Sequence, residues 1–167
     1  MTRGSISWLE THIFMSGAKT CLEWGSGSST AWFLKHGLSV TSIEHHRGWA
    51  EEVNRQLPKC WKRNWDCRVT PPSRSGKMIG SDRCSYFDDY VLEVDKLGKF
   101  DIVVVDGRCR SECIRTGVAH VAPGGIFIID NAERRKYHRS IAENVPEAWE
   151  RLDFPTEVDL TSVWLTN

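Results

Sequence analysis

The sequence predicts an α/β fold, a mainly parallel sheet with helices on both faces. Three observations predict it. Apolar, β-branched runs alternate with stretches of helical period along the chain, the pattern of repeated strand–helix–strand units. The run Phe100-Asp101-Ile102-Val103-Val104-Val105 suits a central parallel strand buried on both faces. The stretch from Cys21 to Thr30, CLEWGSGSST, reads as a strand end, a glycine turn and a helix start.

The elements follow in order. Ser7-Trp8-Leu9-Glu10 fits a capping box, and Ile6, Leu9 and Ile13 share one helical face, which predicts a short leading helix ending near Gly17. The first strand is expected at about 19–23. A helix over about 29–36 stops at Gly37, a good left-handed cap. The second strand is 39–44, and a helix over about 48–56 ends before Pro58. The third strand is placed at about 66–70, closed by Pro71-Pro72. The region 73–84 is the least regular. It is mainly basic and is read either as a substrate lid or as a merely mobile loop. Phe87, Tyr90, Val91 and Val94 then mark a helix that Gly98 ends. After the fourth strand, a helix over about 111–120 leads to a turn at Pro123-Gly124-Gly125. The fifth strand is 126–129, and a basic helix runs from 132 to about 143. The segments 149–154 and 160–165 are expected to form two last strands.

At 167 residues the chain predicts one domain spanning 1–167. Lys plus Arg equals Asp plus Glu, 22 each, which argues against a general nucleic-acid binder and leaves local basic patches open. No apolar run approaches the roughly 20 residues of a membrane span, and the N-terminus lacks a signal peptide's apolar core. The six cysteines contain no C-x-x-C pair. The expectation is reduced, mostly buried thiols in a cytoplasmic protein, with three surface disulfides as the minority reading. The sequence does not speak to oligomeric state. Eight tryptophans are core and rim packing, with one or two available to line a pocket.

Chemistry concentrates at the glycine turn. Gly25 and Gly27 let a ligand approach the backbone, and Ser26, Ser28 and Ser29 lead into a helix start with free N–H groups. A dinucleotide fingerprint would need glycine where this chain has Thr30. Glu23, two residues before Gly25, suits a cationic ligand and would repel a pyrophosphate. Glu44 ends the second strand at the distance where a ribose diol is gripped. Glu23, Glu44, Asp106 and Asp130 all fall at predicted strand carboxyl ends, where ligands of such sheets bind.

The combination E-x-G-x-G plus an acid after the second strand resembles class I S-adenosylmethionine-dependent methyltransferases. The resemblance covers nearly the whole chain. It implies a Rossmann-like sheet of order 3-2-1-4-5-7-6 with the last strand antiparallel. It also implies S-adenosylmethionine held by Glu23, Gly25, Ser26, Gly27, Ser28, Ser29, Glu44, His45 and Asp106. Val105-Asp106-Gly107 with Ile129-Asp130-Asn131 is similar to the metal-binding pattern of catechol-type O-methyltransferases, which implies Mg²⁺ on Asp106, Asp130 and Asn131. Those enzymes carry a lysine base where this chain has Cys109. The competing reading makes Asp130-Asn131 the cap of the following helix. Asp106-Gly107-Arg108-Cys109-Arg110 resembles a group of small methyltransferase-like proteins with V-D-G-R-x-R.

Arg108 at a strand carboxyl end suits a bidentate clamp on a carboxylate or phosphate, or a pair that fixes the loop. Asp106 and Arg108 are therefore the expected catalytic centre, and the acceptor a small molecule, anionic on this reading, methylated at oxygen. His45 and His138 are the histidines to test as bases. The basic cluster 134–139 is either a site for an anionic substrate or RNA, or a solvated helix face. Two rivals stand: an inactive methyltransferase-like binding domain, and a nicotinamide-dependent oxidoreductase.

Overall fold

The computed structural model describes residues 1–72 and 85–166. The expected lid at 73–84 lies outside the described residues. Helix α1 (Arg3–Ser16) leads into β1 (Thr20–Trp24), α2 (Ser28–Lys35), β2 (Ser39–Glu44), α3 (Arg47–Gln56), the short α4 (Lys59–Lys62) and β3 (Trp65–Val69). Helix α5 (Asp88–Leu92), flanked by 3-10 turns, precedes β4 (Phe100–Val105), α6 (Arg110–Gly117), β5 (Val121–Asp130), α7 (Arg135–Asn144), β6 (Glu150–Pro155) and β7 (Leu160–Leu165).

The seven strands form one sheet of order β3-β2-β1-β4-β5-β7-β6. The pairs from β3 through β5 are parallel, and β7 runs antiparallel to both β5 and β6. This is the expected topology. The winding reverses between β1 and β4, which opens a crevice beyond their carboxyl ends.

Alternation along β4 shows how the two layers are held. Ile102, Val103, Val104 and Val105 are all fully buried. Ile102 and Val104 pack in one cluster with Leu9 of α1, Phe33 of α2 and Val53 of α3. Val103 and Val105 pack in the other with Tyr90, Ile114 and Tyr137. Each such side chain gains roughly 1.5–3 kcal/mol from burial, so β4 is the anchor on which the site is built.

Several elements differ from the sequence expectation, each for a local reason. Helix α1 begins at Arg3, not Ser7, because the Thr2 side chain accepts from the Ser5 N–H and caps it. Residues 85–96 form a broken helix, with α5 between two 3-10 segments. Pro123-Gly124-Gly125 is not a turn before β5 but a bulge inside it. Phe100 pairs with Val121 while Ile102 pairs with Ile126. Gly124 has φ +73, and a Cβ on Gly125 would lie 2.7 Å from the Asp101 carbonyl oxygen, so both positions require glycine. Helix α7 starts at Arg135, three residues later than expected, because residues 131–133 form a turn and Arg134 is extended, with ψ 118.

Cys21 and Cys113 are buried free thiols, while Cys60 is free and exposed. Cys109 is disulfide-bonded, so the expectation of reduced thiols fails there. It sits on a left-handed turn at the crevice, half-buried against the edge of the core. Among the described residues no helix is long and apolar enough to cross a membrane.

Candidate active site

Beyond the carboxyl ends of β1, β2 and β4 lies a cavity of about 1050 Å³. Its floor is made by two backbone turns in contact. Gly25, at φ +89, lies so close to the turn after β4 that a Cβ would stand 3.1 Å from the Gly107 Cα. Gly107 is tighter still. A Cβ there would fall 1.9 Å from the Tyr90 hydroxyl and 2.9 Å from the Trp24 backbone. Only glycine lets these turns meet, and their meeting leaves bare backbone facing the cavity.

Glu23 does not line this cavity. It is fully buried, with Oε1 accepting from Ser42 Oγ at 2.6 Å and from the Thr30 hydroxyl, and Oε2 from Ser29 Oγ at 2.7 Å. Thr30 Oγ1 also accepts from the Gly27 N–H, and Ser42 Oγ accepts from Trp65 Nε1. The carboxylate thus ties β1, β2 and the start of α2 together beneath the glycine turn. Burial pushes its pKa up to about 7. The hydroxyls of Ser42, Thr30 and Ser29 oppose that rise, and the charge of Asp106 adds to it. Thr30, where a dinucleotide fingerprint has glycine, is part of this lock.

Glu44 does reach the cavity. Its Oε2 accepts from the Ser26 N–H at 2.9 Å and the Ser26 hydroxyl at 3.0 Å. Its Oε1 accepts from the His46 N–H at 2.9 Å and lies 2.9 Å from His45 Nδ1. That last contact is a close approach without a hydrogen bond's alignment. Burial alone would raise the Glu44 pKa. His45, the Ser26 and His46 N–H groups and the Ser26 hydroxyl outweigh it and hold the carboxyl down at about 2. A carboxylate has about four acceptor directions; hydrogen bonds from Ser26 and His46 take three, and the His45 ring stands close by.

Beside Glu44 the cavity has an aromatic wall. His45 and Phe87 line it with ring centroids 5.5 Å apart, and the fully buried Tyr90 packs behind His45 at 5.7 Å. Trp49, at the start of α3, donates from Nε1 to the Ser26 carbonyl at 2.7 Å and braces the glycine turn. Sequence reasoning missed Trp49 and Phe87. The tryptophan count hinted at a pocket wall without saying which residue. Gly27, Ser28 and Ser29 are near the turn but do not line the cavity.

At the other end stand Asp106 and Arg108. Arg110, absent from the expected site, organises them. Its Nη2 donates to Asp106 Oδ1 at 2.6 Å and to the Asp106 carbonyl at 2.9 Å. Its Nε reaches the Gly107 carbonyl at 3.1 Å, and its Nη1 reaches the Asp130 carbonyl and Asn131 Oδ1. Burial raises the Asp106 pKa, the Arg110 charge opposes the rise, and Asp130 adds to it. Arg108 is exposed at the cavity wall.

The expected Mg²⁺ ligands are not assembled as a metal site. Asp130 is buried, with Oδ1 accepting from Thr161 Oγ1 at 2.7 Å and Oδ2 lying 3.1 Å from the Met1 amino group. Asn131 Oδ1 faces Arg110, and its amide donates to Asp159 at 2.8 Å. The guanidinium stands between Asp106 and Asn131, where a cation bound to both would have to sit. Among the described residues no group of three His, Cys, Asp or Glu is placed to hold a metal ion. The chain does not fit Mg²⁺ here. Neither does Asn131 cap α7: the cap position is Arg134, with no side-chain hydrogen bond. His138 contacts the Glu133 carbonyl at 3.1 Å and lies off the cavity.

No protein-family model matches the chain, and no curated protein matches it. Solved structures do. An O-methyltransferase from Bacillus cereus, in complex with S-adenosylhomocysteine, superposes with a TM-score of 0.65 at 15% identity, over 99% of this chain and 82% of that one. A methyltransferase-like protein from Silicibacter pomeroyi gives 0.65 at 20% identity, over 100% and 88%. The N-methyltransferase NodS from Bradyrhizobium japonicum, also with S-adenosylhomocysteine, gives 0.60 at 18%, over 98% and 86%. At these identities the likeness is one of fold. The described residues share the Rossmann-like fold of these methyltransferases.

Proposed function

We propose that this chain transfers a methyl group from S-adenosylmethionine to an oxygen of a small, anionic molecule. The observation that carries the reading is the cavity itself. It joins a glycine turn after β1, an acid at the end of β2 and a second acid at the end of β4, in a fold shared with methyltransferases. The residues present fit the cofactor. Gly25 and Gly107 leave bare backbone, Glu44 offers a carboxylate for the ribose, and His45 and Phe87 offer flat faces for the base.

When bound, the cofactor supplies a methyl group on a sulfonium, an excellent leaving group. The chain's task is positioning, exclusion of water and removal of a proton. Positioning of two reactants contributes up to about 7–11 kcal/mol. Arg110 pins Asp106 by Oδ1, so Oδ2 is the oxygen left to take the acceptor's hydroxyl proton. Burial raises the affinity of Asp106 for a proton, which moves a carboxylate toward the range useful for a base. Arg108 orients the acceptor from the same turn. Metal has no part in this reading.

The test is donor turnover. With S-adenosylmethionine and a panel of small phenols and hydroxy acids, S-adenosylhomocysteine should form in step with a methyl ether or ester. Methylation at nitrogen would overturn the oxygen assignment, and no binding of S-adenosylhomocysteine would overturn the whole reading.

A further inference from the structure

The chain is neutral, yet its cavity is not. The lining carries four cationic side chains, Arg108, Arg110, Arg134 and Lys136, against the carboxylates Glu44 and Asp106. Arg110 is bound to Asp106, and Glu44 is held at the opposite end by Ser26, His45 and His46. Three cations remain. Among the described residues no carboxylate pairs with Arg108 or Lys136. Arg134 has only its exposed neighbour Glu133, at 3.7 Å. Lys136 Nζ rests 5.0 Å from the Tyr137 ring centroid, so its charge stays at the wall of the cavity.

These cations come from two elements, the turn after β4 and the start of α7, and converge on one concavity. Those on α7 break a local rule. Helix starts favour acids, because the dipole is positive there, but α7 opens with Arg134, Arg135 and Lys136 and has no acid in its first turn. Departures from a local rule are expected at functional or strained sites.

On the methyltransferase reading, we infer that the acceptor carries a phosphate-class oxyanion, held by Arg108, Arg134 and Lys136 apart from the cofactor's own carboxylate. One arginine fork already matches a carboxylate. Separate cations on two elements suit a dianion with three oxygens pointing different ways.

The probe is phenyl phosphate, titrated by calorimetry at low salt into protein saturated with S-adenosylhomocysteine, with benzoate as the carboxylate control. Phenyl phosphate should bind at least tenfold tighter than benzoate. Its affinity should fall at least fivefold in both Arg108→Ala and Lys136→Ala, while S-adenosylhomocysteine stays within twofold. Both side chains are exposed. Arg108→Gln serves as a second variant should alanine disturb the turn. Benzoate binding as tightly as phenyl phosphate, unchanged phosphate affinity in the variants, or displacement of S-adenosylhomocysteine by phenyl phosphate would each overturn the inference. If S-adenosylhomocysteine itself does not bind, the methyltransferase reading fails instead. The phosphate titration of the free protein then still reads the cationic wall directly.

Discussion

Arg110 and Asp106 form a lock in which one guanidinium nitrogen, Nη2, donates to both the side chain and the main-chain carbonyl of Asp106, at 2.6 and 2.9 Å. The same guanidinium extends to Asn131 Oδ1 at 3.2 Å. The acid at the end of β4 and the amide after β5 are thereby joined by a fixed organic cation.

Chelation is therefore expected to leave methyl transfer unchanged, and added Mg²⁺ to do nothing. Arg110→Ala should destabilise the fold by roughly 2–4 kcal/mol, somewhat below the cost of breaking a fully buried pair, and should lower turnover. Chemical denaturation and an assay with and without EDTA check both parts. Loss of turnover on chelation, restored by Mg²⁺, would show that the lock opens for a metal.

Gly107→Ala should destabilise by about 1–3 kcal/mol, as overpacking does, because the new methyl collides with Tyr90. Adding Tyr90→Phe should recover part of that loss by removing the hydroxyl. The contact with the Trp24 backbone remains. A double-mutant cycle reads the coupling, and strict additivity would mean that the two turns can part without cost.

Glu23 gives a pH dependence of defined sign. Its folded pKa is raised from 4.5 to about 7, so the folded state holds the proton more tightly than the unfolded one. Its contribution to stability is full below pH 4.5 and is lost as pH rises through about 7, by roughly 1–3 kcal/mol. Glu44 acts oppositely, since its folded pKa is lowered to about 2. Its contribution is present above pH 4.5 and lost as pH falls toward 2. Urea unfolding of Glu23→Gln against the parent should show the slope between pH 5 and 7 disappear. An unchanged slope would place the proton elsewhere.

Much of this architecture was legible because it is written locally. β2 and β7 have the expected bounds, since β-branched runs and flanking turn residues mark them directly. Gly25 and Glu44 stand out for the same reason, as a turn and a strand end at a set spacing. What was illegible depends on chain segments meeting. Gly107 is glycine because Tyr90 lies beneath it. Glu23 lies beneath the cavity and outside its lining because Ser42, Ser29 and Thr30 surround it. Arg110 displaces the metal reading of Asp106, Asp130 and Asn131 because its side chain folds back onto its own turn. The bulge in β5 is a proline–glycine signal that reads as a turn until its partner strand is known.

Calorimetric titration of S-adenosylhomocysteine into the protein and its Glu44→Ala variant tests the central claim most directly. The account predicts binding in the micromolar range, about −8 kcal/mol. Glu44→Ala should lose about 1–3 kcal/mol of it, the worth of hydrogen bonds to a charged group. Absence of S-adenosylhomocysteine binding, together with tight binding of NAD, would contradict it.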